Sequence, residues 1–191
     1  MAPSTTTARH QELLDQLLAL YLAEGFATFT LSDLAVRLHC SKSTLYALGH
    51  SKEAVTTNVL KRFFQGATQR IEAHAAAPSD PAEQLVAYLR AVADELRAAS
   101  PPFMRDIAAH PAARAVYEKN TRIAAARVRE LIADGVERGG FRRVHGAFVA
   151  DVVASVMVRI QSGEVERAVG LHDADAYDEL AALVISGIAT P

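Results

Sequence analysis

The sequence is 191 residues long and half of it is apolar; 20 Lys and Arg face 22 Asp and Glu, for a formal net charge of −2. That much apolar material excludes a chain disordered throughout, and the near-neutral charge excludes a protein that coats nucleic acid indiscriminately, because such binding neutralises many phosphates. The single cysteine, Cys40, excludes an internal disulfide framework and a multi-cysteine metal site, and reads as a small apolar residue.

Ala, Leu and Val dominate the apolar set and Trp is absent, a mixture that favours helices over strands. No apolar run approaches the roughly 18 residues of a membrane span, and the start lacks a basic stretch leading into an apolar signal segment. A cytoplasmic protein with no membrane partner is expected. Residues 1–64 carry six basic against five acidic side chains, and residues 65–191 carry 14 against 17, a slight tilt of positive charge toward the N-terminal part.

From Arg9 to Glu24, Leu13, Leu14, Leu17, Leu18, Tyr21 and Leu22 recur at spacings of three and four, one face of a first helix that Gly25 stops. Thr30 or Ser32 caps a short second helix with Leu31, Leu34, Ala35 and Leu38 inward. His39 and Cys40 make a tight connection to Ser41, the N-cap of a third helix that reaches about Leu48 and buries Leu45. Gly49 and His50 break it. Ser51 caps a fourth helix with Glu53 in its first turn, where the helix dipole favours negative charge; the stripe Val55, Val59, Phe63, Ala67, Ile71 extends it to about Ala77.

Pro78-Ser79-Asp80-Pro81 is a breaker followed by a cap with proline at the first helical position. The fifth helix turns Leu85, Leu89, Val92 and Leu96 inward. Pro101-Pro102 and Pro111 bracket a short helix, and a longer one from Ala112 to about Arg138 is closed by Gly139-Gly140. Two apolar helices follow, about Gly146–Ser162 and Ala174–Ile188. The first is apolar on more than one face, which implies a second packing surface. The pattern predicts an all-α chain of about nine helices in three parts: a three-helix head at 1–51, a connecting helix at 52–77 and a helical body at 78–191.

Short helices with a tight turn between the last two suit a helix-turn-helix, in which one helix crosses the DNA backbone and the next enters the major groove. The residues carry this further. Leu34-Ala35-Val36-Arg37-Leu38-His39-Cys40-Ser41-Lys42-Ser43-Thr44-Leu45-Tyr46, then Ser51-Lys52-Glu53-Ala54-Val55, with the lead-in Glu24-Gly25-Phe26-Ala27-Thr28-Phe29-Thr30-Leu31, resembles the N-terminal signature of the tetracycline-repressor (TetR) family. The resemblance covers residues 10 to 60 in motif and the remainder only in helix count and length.

The resemblance implies that Lys42, Ser43 and Thr44 approach base edges and phosphates, work for which a lysine and small hydroxyls are suited. It implies that Tyr46 contacts a phosphate, that Lys52 anchors another at a helix N-terminus, and that Ser32 or Thr30 caps the second helix against a phosphate. Ser41, Thr30 and Ser51 are equally readable as plain helix caps. The sequence departs from the family where Ala47-Leu48-Gly49-His50 replaces one or two aromatic or histidine residues and a phenylalanine. A looser exit from the third helix and weaker DNA affinity are expected there, with His50 as a substitute phosphate donor. His39 also stands in the turn where the family favours glycine.

By the same resemblance the chain is a homodimer reading double-stranded operator DNA, a repressor released by a small-molecule effector. The excess apolar surface of the last two helices, at Val149, Val153, Val156, Ile160, Tyr177, Leu180, Val184 and Ile188, is the expected dimer interface. Phe103, Met104, Tyr117, Phe148 and Met157 are expected to line an effector pocket, with Arg105, His110 or Gln161 as polar handles; each is also readable as an ordinary core residue. The histidines pair with no carboxylate or second histidine at metal-ligand spacing, and no Gly-rich phosphate loop or nucleophile elbow is present. No enzyme activity, metal or cofactor is expected. The rival reading is a helical ligand-binding or protein-interaction module with a degenerate DNA head, suggested by Ala47-Leu48-Gly49.

Overall fold

The computed structural model describes residues 5–142 and 144–188. Among them the regular elements are ten α-helices: α1 Thr5–Glu24, α2 Leu31–Arg37, α3 Lys42–Tyr46, α4 Lys52–Ala75, α5 Pro81–Arg97, α6 Pro101–Ala109, α7 Pro111–Glu137, α8 Gly146–Gln161, α9 Glu164–Val169 and α10 Asp173–Ile188. The chain is all-α, as composition and periodicity predict. The helix beyond the expected nine is α9, a short segment between two glycines in the left-handed conformation, Gly163 and Gly170.

Helix starts follow side-chain chemistry. Asp80 caps α5 by accepting the N–H groups of Ala82 and Glu83, with Pro81 at the first position. Ser100 caps α6 ahead of Pro101 and Pro102 in the same way. His145, not anticipated as a cap, accepts the Phe148 N–H through its ring nitrogen at the start of α8.

The chain forms two compact units. The first comprises the residues up to Gly66 together with Ala99–Val116; the second comprises Ala67–Ala98 and the residues from Tyr117 onward. This division differs from the expected 1–51, 52–77 and 78–191. Helix α4 begins in one unit and ends in the other, and α6 belongs with the N-terminal helices. Periodicity finds helices but carries no information on which distant helix joins a core.

The first unit is built on Leu13, Leu17 and Tyr21 of α1, Leu34 of α2, Leu45 of α3 and Val55, Val59, Leu60 and Phe63 of α4, all buried. Helix α6 adds Phe103 and Ile107. Phe26 packs edge-on against Phe103 with centroids 6.1 Å apart and tilted against Tyr21 at 5.5 Å, and Phe63 meets Phe103 at 5.8 Å. Such aromatic pairs add about 0.5–1.5 kcal/mol each beyond their burial.

In the second unit α10 packs most extensively on α5 and next on α8. Leu85, Leu89, Val128, Ile132, Val153, Met157, Leu180, Ala181 and Val184 form its core. Ion pairs brace the rim: Arg70 grips Glu95 through two bonds of 2.6 Å, and Arg127 reaches Glu72 at 3.1 Å. Partly exposed pairs of this kind contribute about 0–1 kcal/mol each, so the apolar core carries the unit. No described helix is long and apolar enough to cross a membrane.

Candidate nucleic-acid interface

Helix α3 is only five residues long, and its geometry is fixed by its flanks. At its start the Ser41 hydroxyl accepts the Thr44 N–H at 3.1 Å and lies 2.6 Å from the Ser43 hydroxyl and 2.8 Å from that of Thr44. Three hydroxyls thus gather at the helix N-terminus. Leu45 is completely buried and anchors the helix; burying a leucine fully is worth about 1.5–3 kcal/mol. With Leu45 inward, Lys42, Ser43 and Tyr46 are exposed and Thr44 is half-buried. Lys42 makes no ion pair among the described residues.

The turn before α3 accommodates His39 by placing it in the left-handed region, φ 48°. Glycine occupies that region freely, while histidine is among the side chains that tolerate it. The turn is closed by Cys40 N–H donating to the Ala35 carbonyl at 3.0 Å and His39 N–H to that of Val36 at 3.2 Å. A glycine is therefore not required there.

The exit from α3 corrects the expectation of a looser connection. Leu48 is buried, and its carbonyl accepts Asn58 Nδ2 from α4 at 2.7 Å. Gly49 presses against the first turn of α4, where an added Cβ would come within 2.6 Å of the Val55 nitrogen and 2.8 Å of the Ala54 carbonyl carbon. A buried leucine and a close glycine contact do the fastening that the missing aromatic residues suggested was lost. His50 is exposed beyond them.

On the other side of the turn, Thr30 and not Ser32 caps α2. Its hydroxyl accepts the Asp33 N–H at 3.2 Å while Asp33 accepts the Thr30 N–H at 2.8 Å and its hydroxyl at 2.7 Å, a reciprocal capping box. The backbone and side-chain bonds from Thr30 hold the Asp33 carboxyl below its ordinary pKa. Ser32 is half-buried. Lys52, at the start of α4, donates its ammonium to the Ala27 carbonyl at 2.8 Å. Burial lowers its pKa, and the nearby Asp106 and Asp33 charges partly restore it.

Two features of this face escape sequence patterns. Arg37 is held by Glu24 through bonds of 2.7 and 2.9 Å and lies 5.3 Å over the Phe29 ring, so its guanidinium is already engaged. An open cavity of about 350 Å³ lies between α1, the α3–α4 connection and α4, with His10, Gln11, Lys61 and Gln65 among its polar lining. None of the residues expected to meet an effector lines it. The bonds made by Asn58 and Asp106 to backbone atoms of other segments have no local sequence signature.

The residues expected to line an effector pocket divide between the units. In the first, Phe103 is fully buried between Phe26 and Phe63, and the His110 ring lies 5.2 Å from Phe26; Met104 is half-buried and Arg105 exposed. In the second, Met157 is fully buried and Gln161 half-buried. The buried Tyr117 donates its hydroxyl to Asp173 at 2.8 Å, and burial raises the pKa of both groups. Phe148 is 66% exposed.

The interface expectation also needs correction. Val153, Ile160, Tyr177, Leu180, Val184 and Ile188 are buried in the chain's own core, and only Val149 and Val156 are partly accessible. An apolar helical stripe looks the same in sequence whether it meets its own chain or a second one. The exposed apolar side chains of the same two helices are Phe148, Val152 and Val158 on α8 and Leu183 on α10.

No protein-family model matches the sequence, and no curated protein matches it. Solved structures do match. A TetR/AcrR-family transcriptional regulator from Thermobifida fusca is similar with a TM-score of 0.66 and 20% identity, over 94% of this chain and 98% of that one. A TetR-family regulator from Agrobacterium tumefaciens gives 0.68 and 16%, over 97% and 100%. A proposed transcriptional regulator from Saccharomonospora viridis, solved in complex with choline, gives 0.72 and 16%, over 97% and 100%. The chain has the fold of solved TetR-family transcriptional regulators along nearly its whole length.

Proposed function

We propose that the chain is a DNA-binding transcriptional regulator, acting as a homodimer that represses from an operator and is released by a small-molecule effector. The observation that carries the reading is α3 itself. A short helix anchored by Leu45 turns Lys42, Ser43 and Tyr46 to solvent, with a cluster of hydroxyls at its N-terminus. Lysine can reach guanine acceptors and phosphates, hydroxyls fit close to base edges, and a tyrosine hydroxyl donates to phosphate. Thr30, Ser32, Thr44, His50 and Lys52 complete the proposed DNA face. Lys52 spends one N–H on Ala27 and retains others for a phosphate.

A single recognition helix reads few bases. Two copies of the chain related by two-fold symmetry read half-sites about 34–36 Å apart or a multiple of that. The proposed contact between copies is the exposed apolar face of α8 and α10, which includes Phe148, Val152 and Leu183 and has Val149 and Val156 at its flank. An effector that prefers one arrangement of the two heads shifts the dimer between DNA-competent and incompetent states. Helix α4, shared by both units, is the proposed lever. The proposed effector site lies within the second unit, around Tyr117, Met157 and Gln161, with choline and other small organic cations among the first probes, since a structural neighbour was solved with choline.

The test begins with selection of duplexes from random-sequence DNA by the wild-type chain, followed by fluorescence anisotropy with Lys42→Ala and Tyr46→Ala. Lys42→Ala should weaken binding and reduce the slope of log K against log salt by about 1 if the ammonium meets a phosphate. Failure to enrich any duplex, or equal binding by wild type and the double variant at low salt, removes the DNA reading and leaves a helical ligand-binding module.

A further inference from the structure

The segment from Gly25 to Ala27, which leads from α1 toward α2, is gripped from two sides. Asp106 on α6 accepts the backbone N–H of Phe26 at 2.5 Å and that of Ala27 at 2.7 Å, both on the same oxygen, Oδ2. Lys52 on α4 donates to the Ala27 carbonyl at 2.8 Å. Successive N–H groups converging on one anion form a nest, and hydrogen bonds to a charged partner are stronger than neutral ones. One short stretch of backbone is therefore held through its donors by a carboxylate and through its acceptor by an ammonium.

Packing repeats the constraint. Phe26 is buried, and its ring meets Tyr21, Phe103 and His110. His110 follows Asp106 by one turn, and its Nδ1 lies 2.7 Å from the Asp106 carbonyl oxygen. Gly25 leaves no slack: its φ is 79°, and an added Cβ would come within 2.6 Å of the Asp106 Oδ2 and 3.2 Å of Pro102.

Resting on the reading of α3 as a DNA reader, we infer that Asp106 is a positioning residue for that helix, fixing the turn after α1 against α6 and thereby the orientation in which α2 and α3 meet DNA. The chain of contacts is short. Ala27 is three residues from Thr30, whose capping box starts α2, and α2 packs against α3 with Leu34 and Leu45 both fully buried. A carboxylate withdrawn from this turn leaves two N–H groups unpaired beside a buried ring, so the turn either follows α6 or gives up its bonds. Either outcome reorients α2. Asp106 does this without touching DNA.

The experiment compares full-length Asp106→Ala and Asp106→Asn with wild type. Because both N–H groups aim at one oxygen, asparagine can present its carbonyl there and lose only the charge. Amide hydrogen exchange is followed well below the melting temperature at Phe26 and Ala27, with Leu180 and Ala181 of α10 as the reference. Affinity is measured by anisotropy on a duplex selected by wild type. The alanine variant should exchange at Phe26 and Ala27 roughly tenfold faster or more and bind DNA roughly tenfold more weakly, with the α10 reference unmoved. The asparagine variant should stay within about threefold of wild type on both readouts.

Wild-type exchange at Phe26 and Ala27 in the alanine variant overturns the inference, as does faster exchange with wild-type DNA affinity. Should the alanine variant fail to fold, Asp106→Ser, whose hydroxyl ends short of the turn, takes its place with the same expected changes and the same overturning results. Loss of DNA binding by wild type itself removes the regulator reading and this inference with it. Wild-type binding matched by the acceptor-less variant removes the inference alone.

Discussion

Gly25 and Asp106 occupy each other's limit of approach: a Cβ on Gly25 would stand 2.6 Å from the Asp106 carboxylate oxygen, in a residue whose φ is 79°. Two independent penalties meet at this position. A side chain at positive φ costs about 1 kcal/mol or more, and the contact displaces a carboxylate that serves two backbone N–H groups. Gly25→Ala should destabilise the chain by about 2–3 kcal/mol in urea unfolding. An unchanged midpoint would mean that the turn relaxes freely and that the fit between α6 and the head is loose.

Gly49 is constrained differently, since its φ is not positive and the obstacle is backbone. An added Cβ meets the Val55 nitrogen at 2.6 Å and the Ala54 carbonyl carbon at 2.8 Å, atoms that cannot rotate away. Gly49→Ala should push the end of α3 off α4, weakening DNA binding by roughly tenfold with a loss of about 1–3 kcal/mol in stability. Gly187, with nothing within 4 Å of an added Cβ, is the control: Gly187→Ala should be neutral or stabilise by up to about 1 kcal/mol through helix propensity. Anisotropy and urea unfolding on the two variants check both halves.

What the sequence discloses follows from the range of each signal. Spacing of three and four located the buried faces of α1 and α4 from Leu13, Leu17, Tyr21, Val55, Val59 and Phe63, all of which are buried. Caps at Ser41 and Asp80 are local and readable. The destination of a face is not local. Val184 and Leu183 are adjacent apolar residues, yet one is buried and the other 71% exposed; spacing sets Val184 on a stripe with Tyr177 and Leu180 but carries no sign of whether that stripe meets its own chain or a second copy. The Leu48 anchor has no counterpart in the family pattern, which carries aromatic residues at the exit from α3. Asp106 was hidden because its partners are backbone atoms some eighty residues away.

The exposed apolar side chains of α8 and α10 make the dimer proposal testable against the protein's own core. Phe148, Val152 and Leu183 are 66%, 43% and 71% exposed in the single chain. Phe148→Glu with Leu183→Glu should leave the melting of the isolated chain nearly unchanged and convert dimer to monomer by sedimentation, because a charge is depleted from interface centres but tolerated on a free surface. Val184→Glu should instead unfold the second unit, at a cost of several kcal/mol for an unpaired buried charge. A double variant that stays dimeric places the contact between copies elsewhere.

Asp173 gives the second unit a pH dependence of known sign. Burial raises its carboxyl pKa, with the Tyr117 hydroxyl bond acting the other way. A carboxyl with a folded pKa above its unfolded value favours folding most when protonated, so its contribution is fully present below the unfolded value near pH 4 and is lost as pH rises through the folded pKa. Asp173→Asn keeps an oxygen to accept the Tyr117 hydroxyl and removes the ionisation. The variant should therefore melt higher than wild type at pH 7, with the gap closing as pH falls toward 4. Thermal melting of the two proteins across that range decides it: a gap that widens on acidification would mean that the Tyr117 bond to the charged carboxylate outweighs the cost of burying it.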